Sequence, residues 1–269
     1  MNIEKEIEKI SQNKKKEAAR LNFFDAEIWL GKPRFFPLAP DLNAGDLTKV
    51  LDDFLITGAL VSHWDGVALS AQDCNQSLID IKNDLPENVY TIWTGLPLTP
   101  EEQGPLPGRG APDPMLRGVR LFPKSHNFCL SDWVIGELCE WCVKYGIPVF
   151  FWHVEVEWDS LFLIAKKYPD LKIIVETQWQ KILYQIRNLY SLMKSVKNVY
   201  AELSNFVGQD FVTNAVRTFG AERLIFGSFI PVNDPYTSMG MVLDADITEQ
   251  EKELVAGKNL KRIIEGVRT

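Results

Sequence analysis

The sequence predicts an α/β fold, a single (β/α)8 TIM barrel over residues 21–269 with an N-terminal helix over residues 1–20. Eight short apolar runs follow one another at intervals of roughly 25 to 35 residues, which leaves room for one crossover helix between successive strands. Helix start and stop signals fall in those intervals. A chain of 269 residues also has the length of barrels that fold as one unit. These observations favour a closed barrel over an open sheet.

The N-terminal helix is highly charged and carries a narrow apolar stripe of Ile3, Ile7 and Ile10. Such a stripe predicts packing on the barrel exterior or against a second subunit. The eight apolar runs that follow are the predicted strands. They cover about residues 22–29, 55–62, 89–96, 117–122, 147–153, 171–176, 198–204 and 223–229.

Four of the helices between and after the strands have recognisable ends. The last one opens at Thr248 with Glu251 three residues later, which is a capping-box pattern. The others end at a glycine or before a proline, where the helix cannot continue. The four predicted segments are 131–146, 159–168, 209–220 and 248–266.

A Pro/Gly-rich loop follows the third strand, between Pro97 and Pro114. A segment of this composition makes no regular strand ladder. Because it leaves the barrel at the carboxyl ends of the strands, where such barrels build their sites, it is either a lid or a passive insertion. The sequence leaves both interpretations open.

Composition excludes several classes of function. The net charge of −7 disfavours nucleic acid as a partner. No apolar run approaches the ~18 residues that a membrane span needs, and the acidic residues of the first helix are unlike a transit peptide, so we expect a cytoplasmic protein without a membrane partner. The pair Cys139 and Cys142 lies on the apolar stripe of the predicted helix 131–146, which favours a core position over a metal or redox site.

Two distant segments carry a family resemblance. FDAEIWLG at 24–31 and RLIFGSFIP at 223–231 resemble the first and last barrel strands of the amidohydrolase-related family. Further matches follow in the family's order and make a chance resemblance improbable. They are RGVRLFP at 117–123, GIPV at 146–149, YPDLKII at 168–174, NVYAELS at 198–204 and AGKN at 256–259.

The resemblance implies a metal-dependent hydrolase, yet the ligand positions are substituted. In the family the first strand carries His-x-His and the last strand ends in Gly-Ser-Asp-x-Pro. The corresponding positions here are Glu27 and Trp29, Trp152 or His153 in strand five, Thr177 in strand six and Phe229 in strand eight. A catalytic zinc site needs about three nitrogen, sulfur or carboxylate ligands, and the aromatic residues offer none. We therefore expect no metal cofactor and a divergent or lost hydrolase activity.

The same positions predict an aromatic and acidic pocket for a small molecule. Aromatic faces suit sugars, planar rings or quaternary amines, and a carboxylate would bind a cation or a hydroxyl. We predict Asp25, Glu27 and His153 as catalytic residues. The predicted substrate-binding residues are Trp29, Arg120, Trp152, Glu176, Thr177 and Phe229.

Other interpretations stay open at this point. One is a working metal-dependent hydrolase or decarboxylase whose zinc ligands are Glu27, His153 and Glu176. Another is a glycosidase-like enzyme that uses two strand-end carboxylates among Glu155, Glu157, Glu176 and Glu202. Asp25 and His153 have structural alternatives, as a carboxylate that bonds loop amides and as a core histidine. The last interpretation is a non-catalytic protein that binds a small molecule or serves as an assembly subunit. A homodimer is also compatible with the sequence, since homodimers are common among similar barrels.

Overall fold

The chain folds into a barrel of eight parallel strands in the order β1 to β8, as seen in a computed structural model that describes residues 3–102 and 104–269. The strands are β1 Phe23–Leu30, β2 Ile56–His63, β3 Val89–Thr94, β4 Leu116–Leu121, β5 Val149–Trp152, β6 Ile173–Glu176, β7 Val199–Glu202 and β8 Leu224–Ile225. Residues 226–230 complete the closure, since Trp29 N donates to Ile230 O at 2.8 Å and Phe229 N to Glu27 O at 3.0 Å. The (β/α)8 barrel predicted from the sequence is confirmed.

Helices occupy the intervals between strands and flank the barrel. They are α1 Ile3–Leu21, α2 Leu47–Asp53, α3 Asp65–Ala68, α4 Ala71–Asp80, α5 Asp132–Tyr145, α6 Trp158–Lys167, α7 Ile186–Ser195, α8 Phe211–Phe219, α9 Pro235–Leu243, α10 Glu249–Glu253 and α11 Asn259–Glu265. No helix in the described ranges is long and apolar enough to cross a membrane.

The helix ends follow the local signals. Gly146 ends α5 in the left-handed region, at φ 71°, where a glycine has no steric cost. Thr248 and Glu251 form the capping box that opens α10. The predicted helix 248–266 is interrupted by a π-helical turn, Leu254–Lys258, between α10 and α11. In that turn Gly257 lies so close to β1 that a Cβ would meet Asn22 O at 2.7 Å, so close packing accompanies the irregular turn.

The N-terminal helix packs along the barrel exterior through its second half. Ala18 and Leu21 are buried, and Lys14 donates to Asp244 at 2.5 Å, just beyond α9. The predictions for Ile3 and Ile7 concern side chains outside those that the structure describes.

The interior of the barrel contains two tiers. A lower apolar cluster is closed from beneath by α11. Its members are Phe24, Ala26, Leu60, Ile92, Phe150, Ile174, Ile225, Leu260, Ile263 and Ile264. In β1 the pairing register shifts between Asp25 and Ile28, which inserts one extra residue opposite β2. The bulge changes the alternation, so Ala26 joins the lower tier while Glu27 and Trp29 enter the upper one.

The Pro/Gly-rich loop packs beside the barrel. Asn75 on α4 donates to Pro105 O at 2.8 Å, and Trp141 on α5 donates to Gly110 O at 2.9 Å. These bonds hold the loop to two outer helices, which favours the passive insertion over the lid. On α5, Cys139 and Cys142 are buried, and burial raises the pKa of both thiols.

Candidate functional site

Five buried aromatic rings fill the carboxyl-end mouth of the barrel, and we call them the aromatic plug. The plug consists of Trp29, Trp64, Phe122, Trp152 and Phe229. Trp29 stacks on Trp64 with ring centroids 4.6 Å apart and lies 5.2 Å from Trp152. Phe122 contacts Trp152 edge to face at 4.9 Å. The strand ends therefore deliver large rings to one place, and those rings pack against each other.

Two further rings lie over the plug, and we call them the lid. Phe36, from the loop after β1, contacts Trp64, Trp179 and Phe229 at 5.8, 4.9 and 5.6 Å. Trp179, from the loop after β6, lies 5.4 Å from Trp152 and is 38% exposed. Trp179 and Phe229 have φ angles of 76° and 62°. Bulky residues rarely adopt this region, so the backbone is strained at two of the rings that close the mouth.

Beneath the plug lies a buried polar layer, which we define as Ser62, Glu27, Arg120, Glu176 and Glu202. The Arg120 guanidinium pairs with both carboxylate oxygens of Glu176, through Nε at 2.9 Å and through Nη2. Its Nη1 donates to Ser62 Oγ, and its plane lies 4.5 Å from the Trp29 ring. Each guanidinium nitrogen thus has a partner, and the cation also stacks on the plug.

Glu27 connects the plug to the polar layer. Its Oε1 accepts hydrogen bonds from two plug indoles, Trp29 Nε1 at 3.2 Å and Trp152 Nε1 at 3.3 Å. Its Oε2 is buried and has no hydrogen-bond partner among the described residues. Burial and the neighbouring carboxyls of Glu176 and Glu202 raise the pKa of Glu27 well above its ordinary value.

Glu202 lies at the end of β7 and is held by backbone donors. It accepts from Thr177 N at 3.1 Å, from Ser204 Oγ at 2.9 Å and from Ser204 N. Burial nevertheless raises the pKa of Glu202 to about 8. The Thr177 hydroxyl accepts from Asn205 N at 3.0 Å, so Thr177 links the ends of β6 and β7 instead of facing an open pocket.

Asp25 closes the seam between the first and last strands. Its Oδ1 accepts from Glu27 N at 2.9 Å and from Ser228 N at 3.0 Å, while Oδ2 has no partner among the described residues. Burial raises the pKa of Asp25 to about 6. The geometry gives Asp25 the structural role, as a carboxylate that bonds the amides of the seam.

The register at the end of β5 is defined by Trp152, whose ring belongs to the plug. His153 follows the strand, and its ring nitrogens lie 2.9 Å from Gln180 O and 3.2 Å from Gln185 Oε1. Burial lowers the pKa of His153. The imidazole therefore holds the loop that carries Trp179 and is not part of the polar layer.

The strand-end carboxylates proposed as a glycosidase-like pair fall into two groups: Glu155 and Glu157 lie in the loop after β5, and Glu176 and Glu202 lie in the polar layer. Glu155 accepts from Ser125 N and Oγ at 2.8 and 2.7 Å, and Glu157 forms an exposed ion pair with Lys124 at 3.1 Å. Glu176 is bound to Arg120 and Glu202 to backbone amides. The loop carboxylates and the barrel carboxylates thus have different partners.

The residues of the mouth do not fit the divalent metal that the family resemblance implies. Across residues 3–102 and 104–269, no group of three or more His, Cys, Asp or Glu side chains is arranged to hold a metal ion. The alternative set of Glu27, His153 and Glu176 does not converge, since His153 is bonded to a loop and Glu176 to a guanidinium. The cation in this carboxylate-rich layer is the side chain of Arg120.

Five surface cavities, with volumes of about 200 to 580 Å³, lie away from the mouth. None of the five is lined by a residue of the plug or the lid. These five cavities therefore do not mark the mouth as a ligand site.

Several site residues were missed by the sequence reasoning. Trp64 and Phe122 directly follow β2 and β4, and their position at or just after the end of an apolar run could have revealed them. Phe36 and Trp179 lie in long loops and carry no such signal.

Comparison with known proteins places the fold. The chain shares 13% identity and a TM-score of 0.69 with a 5-carboxyvanillate decarboxylase from Sphingomonas paucimobilis, over 91% of this chain and 99% of that one. A second such decarboxylase, from Novosphingobium aromaticivorans, was solved with bound manganese and 3-methoxy-4-hydroxy-5-nitrobenzoic acid. It shares 14% identity and a TM-score of 0.69 with this chain, over 90% of this chain and 97% of that one. Amidohydrolase 2 from Bifidobacterium longum subsp. infantis shares 17% identity and a TM-score of 0.66, over 91% of this chain and 98% of that one.

At these identities the solved structures are evidence for the fold alone, and no curated protein sequence is significantly similar to the chain. The profile of the family described as Amidohydrolase matches residues 36–264, which is most of the chain. The chain therefore belongs to the amidohydrolase family.

Proposed function

We propose that this barrel binds a small ring-bearing organic molecule at its mouth without a metal ion, and that it does not carry out metal-dependent hydrolysis. The observation that supports this most directly is the position of the Arg120 guanidinium, which pairs with Glu176 inside the carboxylate-rich layer. A divalent ion near Glu27 would be repelled by that guanidinium in a medium of low dielectric constant. Trp29 and Phe229, at two of the ligand positions, have no lone pair to replace the lost imidazole and carboxylate.

Binding of a ring is the activity that the remaining residues support. The plug offers aromatic faces and edges, and Glu27 offers a carboxyl group just below them. A planar ligand would take the place of the Trp179 ring against Trp152. The strained backbone at Trp179 favours such a movement, because opening the loop relieves a conformation that a bulky residue adopts at a cost.

Decarboxylation of an aromatic acid is the second candidate. One solved structure with the same fold holds manganese and a substituted nitrobenzoic acid, and the aromatic mouth here would suit a similar ring. Arg120 could bind the carboxylate of such an acid only by exchanging it for Glu176. This candidate therefore predicts that an aromatic anion binds better than a neutral ring.

Elemental analysis tests metal independence. We expect protein purified without chelator to contain far less than one equivalent of zinc or manganese, and added metal to leave the melting temperature unchanged. Glu27→Gln serves as the site variant and Glu155→Gln, in the loop after β5, as the matched control. About one equivalent of metal that is lost in Glu27→Gln and kept in Glu155→Gln would overturn the proposal.

Titration with benzyl alcohol, an uncharged ring compound, tests binding at the mouth. We expect it to change the tryptophan fluorescence and to raise the melting temperature. Trp179→Ala should alter the affinity because the ring lies in the lid, whereas Trp133→Ala should not, because Trp133 is 81% exposed on α5. Equal responses of the two variants, or no binding of benzyl alcohol, benzylamine or benzoate, would refute the aromatic mouth as a binding site.

A further inference from the structure

Among the buried groups without a partner are two carboxyl oxygens of the first strand. Glu27 Oε2 and Asp25 Oδ2 are fully buried carboxylate oxygens without partners among the described residues. Trp64 Nε1 is a free donor within the plug, and Gln178, next to the lid residue Trp179, has a free donor and a free acceptor. In their ionised form the two carboxyl groups can only accept hydrogen bonds, so a positively charged ligand group that donates is the partner that suits them.

The charges favour the same kind of ligand. Three buried carboxyl groups, those of Glu27, Glu176 and Glu202, share the polar layer with one guanidinium. That guanidinium is already committed, since each of its nitrogens donates to Glu176 or Ser62. An anion would find no free cation in the polar layer, whereas a cation would find an acid without a partner.

The plug is suited to a cation as well. Arg120 shows how, because its guanidinium lies 4.5 Å from the centre of the Trp29 ring. The Trp152 indole spans the distance between Glu27, to which its Nε1 donates, and Trp179 in the lid. A molecule with one ring and a short charged arm has about the length of that indole.

Building on the proposed function, we propose that the ligand of the mouth is an organic cation, a ring-bearing ammonium compound whose charged group donates to Glu27 Oε2. Its ring replaces lid rings against the plug. Charged and titratable groups face Glu27 from three other strands: Arg120 on β4, Glu176 on β6 and Glu202 on β7. Asp25 lies on the same strand and bonds the Glu27 amide.

Binding of the cation is coupled to release of a proton. At a pH where the free protein holds a proton on Glu27, an arriving positive group displaces that proton, because the cation lowers the pKa that burial had raised. The proton passes to the buffer, and the ionised carboxylate pairs with the ammonium group. Affinity therefore increases as the pH rises through the range in which the free protein holds that proton and the ligand stays charged.

Calorimetric titration with three probes that share one ring tests the proposal: benzylamine, benzyl alcohol and benzoate. We expect benzylamine to bind about tenfold more tightly than benzyl alcohol, which corresponds to ~1.4 kcal/mol, and benzoate to bind most weakly. Glu27→Gln should remove the preference for benzylamine, while Glu155→Gln should keep it. If Glu27→Gln fails to fold, titration of the unmodified chain in phosphate and in Tris replaces it, because proton release makes the measured heat depend on the buffer.

The outcomes separate this inference from the proposed function. Equal affinity for benzylamine and benzyl alcohol, or a heat that is the same in both buffers, overturns the cation and leaves the ring site standing. Tightest binding of benzoate also overturns the cation and supports the aromatic-acid candidate. Binding of none of the three probes refutes the proposed function itself.

Discussion

Removing the guanidinium of Arg120 should be among the most destabilising single changes in the barrel. In Arg120→Met the Glu176 carboxylate keeps its buried position and loses the partner that binds both of its oxygens. Breaking a buried pair in this way costs about 3–5 kcal/mol, because a charge is left without compensation. For a chain of this size each kcal/mol lowers the melting temperature by about 2–4 °C, so we expect a loss of roughly 6–20 °C.

Arg120→Met is one arm of a double-mutant cycle, and Glu176→Leu is the other. Because two apolar side chains of similar volume can replace a buried ion pair at little cost, Arg120→Met/Glu176→Leu should be more stable than Arg120→Met alone. Acidic pH should also rescue Arg120→Met, since protonation of Glu176 removes the uncompensated charge.

Thermal and urea unfolding of the four proteins of the cycle provides the measurement. The matched control is Arg217→Met, which removes an ion pair with Asp246 whose side chains are 60% and 87% exposed. Such a pair contributes at most about 1 kcal/mol. If Arg120→Met and Arg217→Met lose the same stability, Arg120 is not the cation that neutralises the polar layer. Ligand binding without a metal ion would then lack its main supporting observation.

Three further changes test the same layer. Stability should fall as the pH rises from about 7 to 8.5, because burial raises the pKa of Glu202 to about 8, so the folded chain binds more protons there than the unfolded one. Burial lowers the pKa of His63, His126 and His153 from 6.5, so these groups act in the opposite direction mainly below that window. A melting temperature equal at about pH 7 and pH 8.5 would contradict this prediction. Phe229→Asp should cost about 1–3 kcal/mol or more without creating a metal-dependent hydrolase, and an unchanged melting temperature would mean that Phe229 is solvated in solution. Gly227→Ala should destabilise the fold, because the added Cβ would overlap Glu202 Oε1. Gly240→Ala, in α9, has open space around the added Cβ and should stabilise the fold by up to ~1 kcal/mol. The reverse order of stabilities would contradict the packing of the polar layer.

Much of the barrel could be predicted because its signals are local. The apolar runs and the helix ends are read within ten residues or so, and each strand lies within a predicted run or one residue beyond it. The bulge in β1 could not be predicted in this way. All eight residues of that strand are buried, so the hydrophobic pattern has no alternation in which a register shift would be visible.

The contacts of the site depend on residues that are far apart in sequence. Arg120 and Glu176 are separated by 56 residues, and nothing near either one indicates that they form a pair. Phe36 and Trp179 reach the mouth from loops whose path the sequence does not define. The uncertainty at Trp152 and His153 had a different origin, since it depended on the residue at which β5 ends.

The plug and the polar layer depend on each other physically. The aromatic rings exclude water from the carboxyl groups, and this desolvation is the largest cause that raises the pKa values of Glu27 and Glu202. A proton held by either acid in turn reduces the negative charge that the Arg120 guanidinium has to balance. Opening the lid at Phe36 and Trp179 would admit water, lower those pKa values and give the layer negative charge. We therefore expect the layer to attract a cation most strongly when the lid is open.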